Sequence, residues 1–98
     1  MDTCCTNRKK QRTPEEKRAL CNRLSRLEGQ IRGLRNMVEQ DAYCTDVLTQ
    51  SAAAAAALKA FNRALLSDHI HTCVAQDLQN GKEDTAQELC EVLQMLMK

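Results

Sequence analysis

The sequence His-Ile-His-Thr-Cys at residues 69–73 gathers both histidines of a 98-residue chain and one of its six cysteines into five positions. Imidazole and thiolate are the side chains that bind soft metals. His69 and Cys73 stand four apart, so on a helix they stack on one face and can share a ligand. His71 is rotated to the opposite side and is not expected to join them. Two donors make an incomplete site, and a histidine near a helix end is more often an ordinary surface or core residue. The third donor decides the matter, and Cys44 is placed to supply it.

Cys44 lies 25 residues before His69. On one helix that separation is roughly 37 Å at 1.5 Å per residue, far too great for one ion to be bound within a chain. Yet 25 steps of about 100° return almost to the same helix face. Two such helices packed antiparallel about a two-fold axis bring Cys44 of one to His69 and Cys73 of the other. The axis then crosses near Ala57 and Leu58, inside the alanine run 52–57, where two backbones can approach closely. Such a run is usually just a strong helix former; here it also suits a dimer seam. The pairing yields two equivalent sites, each completed across the subunit boundary.

Two thiolates and one imidazole form a soft, three-ligand set that suits trigonal Cu(I). A structural Zn²⁺ wants a fourth ligand, and Ni²⁺ usually takes more nitrogen. Paired thiols are also oxidisable, so a dithiol redox switch stays open.

The elements needed to position these residues are legible. Only Tyr43 and Phe61 are aromatic, there are three glycines and one proline, and strong helix formers dominate, which predicts an all-α chain. Residues 1–12 lack hydrophobic periodicity and read as a disordered basic tail. Residues 13–98 read as a single helical domain. Thr13, Pro14, Glu15 and Glu16 form a helix start. Leu20, Leu24, Leu27, Ile31, Leu34 and Val38 follow as one apolar stripe, with Gly29 and Gly33 allowing close packing. Asp41 is expected to cap a second helix running from about Ala42 to Leu78, ended at Gly81. A third helix is expected from about Glu83 to Met97. A central helix this long carries more apolar surface than two short neighbours cover, so a dimer is expected as the folding unit.

Near-neutral total charge hides an asymmetry. Residues 1–35 carry ten Lys and Arg against four Asp and Glu, whereas residues 36–98 carry four against nine. The basic half suggests a polyanion as partner. Lys17, Arg18, Arg23, Arg26, Arg32 and Arg35 form the positive surface, and singly each is equally well a solvated helix residue. The N-terminus has no secretory signal and no apolar run spans a bilayer, so the chain reads as cytoplasmic with no membrane partner. In that reducing compartment six cysteines favour metal or redox chemistry over a disulfide framework.

The stretch "NRLSRLEGQIRGLRNMVEQDAYCTDVLTQ", followed by "LLSDHIHTC", resembles the CsoR-type copper-sensing repressors. They belong to a larger group of helical bacterial regulators that also includes nickel/cobalt, formaldehyde and persulfide sensors. The resemblance covers roughly residues 14–97. "RLSRLEGQIRG" marks the larger group, and Cys44 with His69 and Cys73 matches the copper branch. The resemblance implies a three-helix protomer, an antiparallel bundle dimer, and a homotetramer made of two dimers. It implies a repressor that binds operator DNA without metal and is released by Cu(I). It also implies supporting roles for Tyr43, before the first ligand, and Glu88 on the third helix, the latter only if one residue is deleted in the "QNGKED" loop. Among the basic residues it favours Arg23 for DNA. A basic position common on the second helix falls here on Ala60, with Lys59 adjacent and Arg63 nearby.

The position that carries an extra histidine in the nickel/cobalt branch is Arg12 here, and His69 is absent from the persulfide branch. Both differences favour copper. The main alternative is a persulfide or oxidant sensor of the same fold using a Cys44/Cys73 dithiol. A copper buffer without a DNA role is a third reading. An enzyme with a Cys/His nucleophile is disfavoured, because no glycine-rich oxyanion loop or substrate pocket is visible. Cys4, Cys5, Cys21 and Cys90 receive no defined role; the first two read as an exposed thiol pair and the last two as small apolar packing residues.

Overall fold

The computed structural model describes residues 12–81 and 84–97. Apart from Arg12, the expected basic tail lies outside them, as do Cys4, Cys5 and the Glu83 start expected for the last helix. Among the described residues the regular structure is entirely helical. Helix α1 spans Pro14–Glu39 and α2 spans Cys44–His69. A π turn, π1, covers Ile70–Val74, followed by α3 at Ala75–Gln79 and α4 at Asp84–Leu96. The chain divides between Leu65 and Leu66 into two compact units.

The first unit, Thr13–Leu65, holds α1 and most of α2. Helix α1 starts as its sequence dictates. The Thr13 side chain accepts from the Glu16 backbone N–H at 3.1 Å, and Glu16 Oε1 accepts from the Thr13 N–H at 3.0 Å, a reciprocal capping box with Pro14 in the first turn. Each bond satisfies a backbone donor that the first helical turn leaves unpaired. Thr13→Ala is therefore expected to lower the unfolding free energy by about 1 kcal/mol, measured by denaturant titration.

The end of α1 corrects the role expected for Asp41. It does not cap the second helix. Its φ is 58°, and its N–H donates to the Val38 carbonyl while the next N–H, of Ala42, donates to Met37. These nested bonds make Asp41 the left-handed residue that closes α1. Aspartate is among the few non-glycine residues that enter this region, because its short polar side chain can bond locally. The Tyr43 carbonyl instead accepts the first N–H groups of α2, from Asp46 and Val47.

Leu20 on α1 and Ala54 on α2 are the buried residues of this unit. Along the α1 stripe Leu27 and Leu34 are half-buried, while Leu24, Ile31 and Val38 are exposed. Among the described residues of the single chain, neither glycine is closely packed. A Cβ at Gly33 would meet nothing within 4 Å, and one at Gly29 would meet only the tip of Arg32 at 3.8 Å.

The second unit contains the last turn of α2, then π1, α3 and α4. The expected uninterrupted helix to Leu78 is instead α-helical, then π, then α again, with right-handed helical backbone at His69, Val74 and Ala75. The Ala75 N–H donates to the Ile70 carbonyl, the i→i+5 bond that defines the wider turn. Gly81, with φ 80°, follows α3, and its N–H donates to the Leu78 carbonyl, so it is the expected stop. Helix α4 packs on both α3 and the π turn. The Thr85 hydroxyl donates to Asp77 Oδ2 at 2.8 Å, tying the start of α4 to α3. Cys73 and Val74, both in the π turn, are the buried residues here, at 2% and 3% exposure.

Candidate metal centre

The three expected ligands are distributed by the helices. Cys44 is the first residue of α2 and His69 the last, so a 26-residue helix stands between them. Cys73 follows in the π turn. Cys44 is exposed, His69 half-buried and Cys73 buried. Among the described residues of the single chain, no three His, Cys, Asp or Glu side chains converge as a metal site.

The π turn changes the local geometry of the His-x-x-x-Cys pair. Its wider i→i+5 turn swings Cys73 round the axis relative to a regular α-helix. Side chains within the turn bond back to carbonyls of the preceding one. His71 Nδ1 lies 2.8 Å from the Ser67 carbonyl oxygen and 3.5 Å from its hydroxyl. A carbonyl only accepts, so the proton in that bond sits on Nδ1. His71 is thereby held on its own helix and is exposed, and it remains outside the proposed ligand set. The Thr72 hydroxyl donates to the Asp68 carbonyl at 2.6 Å and lies 3.7 Å from Cys73 Sγ.

Cysteine chemistry separates the four described thiol positions. Cys21, Cys44 and Cys90 are free and exposed, which departs from the packing role expected for Cys21 and Cys90. Cys73 is disulfide-bonded. A disulfide sulfur has no thiolate to offer a metal, so Cys73 binds one only after reduction.

Tyr43 is 72% exposed and stands immediately before Cys44. Glu88 is half-buried on α4. The basic residues Lys17, Arg18, Arg23, Arg26, Lys59 and Arg63 all lie in the Thr13–Leu65 unit and all are exposed. Long cationic side chains on rigid helices, open to solvent, have the form a phosphate backbone requires. Thr72 stands inside the π turn beside Cys73, an expected ligand; a threonine in a helix-forming run carries no sequence signal of its hydrogen-bond partner.

The family model described as "Metal-sensitive transcriptional repressor" matches residues 16–98, which takes in α1 from Glu16 onward and the whole of α2, the π turn, α3 and α4. The chain belongs to this family. Among the family's proteins, it is 45% identical over 87 residues to the copper-sensing transcriptional repressor CsoR of Bacillus subtilis (strain 168), covering 89% of this chain and 84% of that one. It is 39% identical over 77 residues to the copper-sensing transcriptional repressor RicR of Mycobacterium tuberculosis (strain ATCC 25618 / H37Rv), covering 79% and 80%. The crystal structure of the copper-sensing repressor CsoR with Cu(I) from Geobacillus thermodenitrificans NG80-2 superposes with a TM-score of 0.84 at 40% identity, covering 89% of this chain and 92% of that one. The nickel-responsive transcriptional regulator InrS also shares the fold, with a TM-score of 0.71 at 38% identity over 88% and 94% of the two chains. Family members of one fold thus answer to different metals, and the donor set must make the choice.

Proposed function

We propose that this chain is a Cu(I)-responsive transcriptional repressor that binds operator DNA when metal-free and leaves it when Cu(I) binds. The observation that carries this reading is the donor set Cys44, His69 and Cys73 within a family whose similar members are copper sensors. Two thiolates and an imidazole match Cu(I) better than Ni²⁺, although the fold itself serves both kinds of sensor.

In this reading Cys44 comes from one subunit and His69 and Cys73 from its partner. The apolar surface supports such an assembly. Ile31, Val38, Leu48, Leu58, Met95 and Met97 are between 45% and 80% exposed in the single chain, and apolar area of this kind is ordinarily buried against another copy. A homodimer pairing into a homotetramer would cover it. Residues 13–98 act as one metal-sensing and DNA-binding domain, with residues 1–12 a basic tail. Tyr43 and Glu88 orient the ligand groups, as partners of metal-bound imidazole commonly do.

The chain's own residues divide the work. Cys44, His69 and Cys73 hold Cu(I), which when bound supplies a bridge between helices of two subunits. Closing of Cys44, His69 and Cys73 on one ion would favour the assembly shape that brings them together, and DNA affinity would fall by the same coupling free energy. Arg23, Arg26, Lys17, Arg18, Lys59 and Arg63 hold the phosphate backbone. As a repressor of operator DNA, the protein works in the cytoplasm. Among the described residues no helix is long and apolar enough to cross a membrane.

The test is operator binding at several salt concentrations, with and without Cu(I), on reduced protein. Cu(I) should weaken binding by a factor within the usual allosteric range of about 5–150. Operator affinity indifferent to copper would refute the proposal, and release by a persulfide donor instead of copper would favour the dithiol alternative. In the same assay Arg23→Ala is expected to weaken binding to all sequences and reduce the log–log salt slope by about 1 for each lost phosphate contact.

A further inference from the structure

The Thr72 hydroxyl has one proton to give, and two acceptors among the described residues, the Asp68 carbonyl and Cys73 Sγ, lie within its reach. It donates to the Asp68 carbonyl at 2.6 Å, and the hydroxyl oxygen itself lies 3.7 Å from Sγ of Cys73, which is disulfide-bonded in this structure. The shorter contact is a strong hydrogen bond to backbone; the longer is the reach of a weak bond to sulfur. Both acceptors belong to one unit, and the hydroxyl sits inside the π turn, where the i→i+4 register of the helix is broken.

We infer that Thr72 is a positioning residue that couples the metal state of Cys73 to the helix backbone, its hydroxyl turning from the Asp68 carbonyl to Cys73 Sγ when that sulfur binds Cu(I). This rests on the functional reading above. As the Sγ–Cu(I) bond forms, reduced Cys73 gives up its thiol proton to solvent and no electron changes hands. The sulfur then carries negative charge and is a much better acceptor than a disulfide or thiol sulfur. The Thr72 oxygen would meet that charge with its lone pairs unless the hydroxyl rotates to donate. Rotation strips the Asp68 carbonyl of its side-chain donor just before the π turn. A buried ligand thereby acts on the register of the helix that continues into α3, which itself packs against α4. A bistable element biased by the ligand is what metal-driven release requires.

The experiment compares wild type, Thr72→Val and Thr72→Ser as reduced, full-length proteins. Valine preserves shape and removes the proton; serine preserves the proton. Each is measured for thermal unfolding, the ultraviolet Cu(I)–thiolate absorption, and operator affinity with and without Cu(I). Thr72→Val should shrink the copper-induced loss of operator affinity by about 5-fold or more and shift the Cu(I)–thiolate band, and Thr72→Ser should restore both. In the wild type, without any substitution, the Asp68 carbonyl ¹³C resonance should move on Cu(I) addition as its hydrogen bond is lost. Unchanged release by Thr72→Val, equal impairment of Thr72→Val and Thr72→Ser, or a stationary Asp68 resonance in copper-loaded wild type would each overturn the inference. Wild type that Cu(I) fails to release overturns the functional reading itself and is recognised before any variant is made.

Discussion

Replacing His69 with alanine is expected to abolish copper-triggered release while leaving operator binding by the metal-free protein intact. His69 supplies the only nitrogen in the proposed donor set and is half-buried at the end of α2. Removing it leaves two thiolates with no imidazole to close the trigonal site. Partners that merely orient a metal ligand cost 10–100-fold in affinity when removed, so loss of a ligand should cost at least about 100-fold. Competition with a colorimetric Cu(I) chelator measures this directly. The variant also separates the two leading readings. A dithiol sensor would keep its response to persulfide in His69→Ala, since Cys44 and Cys73 are untouched. Retention of tight Cu(I) binding by this variant would mean that the metal sits elsewhere. Because His69 is only half-buried and alanine is a strong helix former, the substitution should leave the melting temperature nearly unchanged.

The second large effect concerns the division of the site between subunits. Cys44→Ser and Cys73→Ser are each expected to destroy Cu(I) binding when present in every chain. Refolded together in equal amounts, they should regain it. A mixed dimer contains one intact set, with Cys44 from the Cys73→Ser chain and His69 and Cys73 from the Cys44→Ser chain, and one set that lacks both thiols. Random pairing makes half of the dimers mixed, so the mixture should bind about one quarter of a Cu(I) per chain, against about one in the wild type. Recovery at that level requires ligands from two chains. No recovery would show that each chain builds its own site, against the helix geometry: Cys44 and His69 are the two ends of one helix.

Much of this was readable before any coordinates. The capping box at Thr13 and Glu16 involves groups three residues apart, so the chemistry that makes it is contiguous in the chain. The stop at Gly81 is equally local, set by the backbone freedom of one residue. Cys44, His69 and Cys73 stand out as candidate donors because soft-metal ligands are few and the period of a helix relates residues 25 apart, but the single chain does not bring three such side chains together among the described residues. Asp41 was misassigned for an equally local reason. Aspartate suits both a helix start and a left-handed closing residue, and the choice fell to the Val38 and Met37 carbonyls left unpaired by α1. Cys21 and Cys90 are exposed on the single chain, since a thiol is small enough to sit on either face of an amphipathic helix.

Residue types and their spacing were enough to establish the all-helical character, the start of α1, the stop at Gly81 and the basic half, because each depends on composition or short-range backbone preferences. The π turn at Ile70–Val74, the burial of Cys73 and the placement of Thr72 between Asp68 and Cys73 were decided only in three dimensions. A shift of one residue in hydrogen-bond register leaves the hydrophobic pattern almost unchanged, so the sequence carries little trace of it. In the folded chain α4 packs against the turn and against α3, contacts that no local pattern in residues 70–74 encodes.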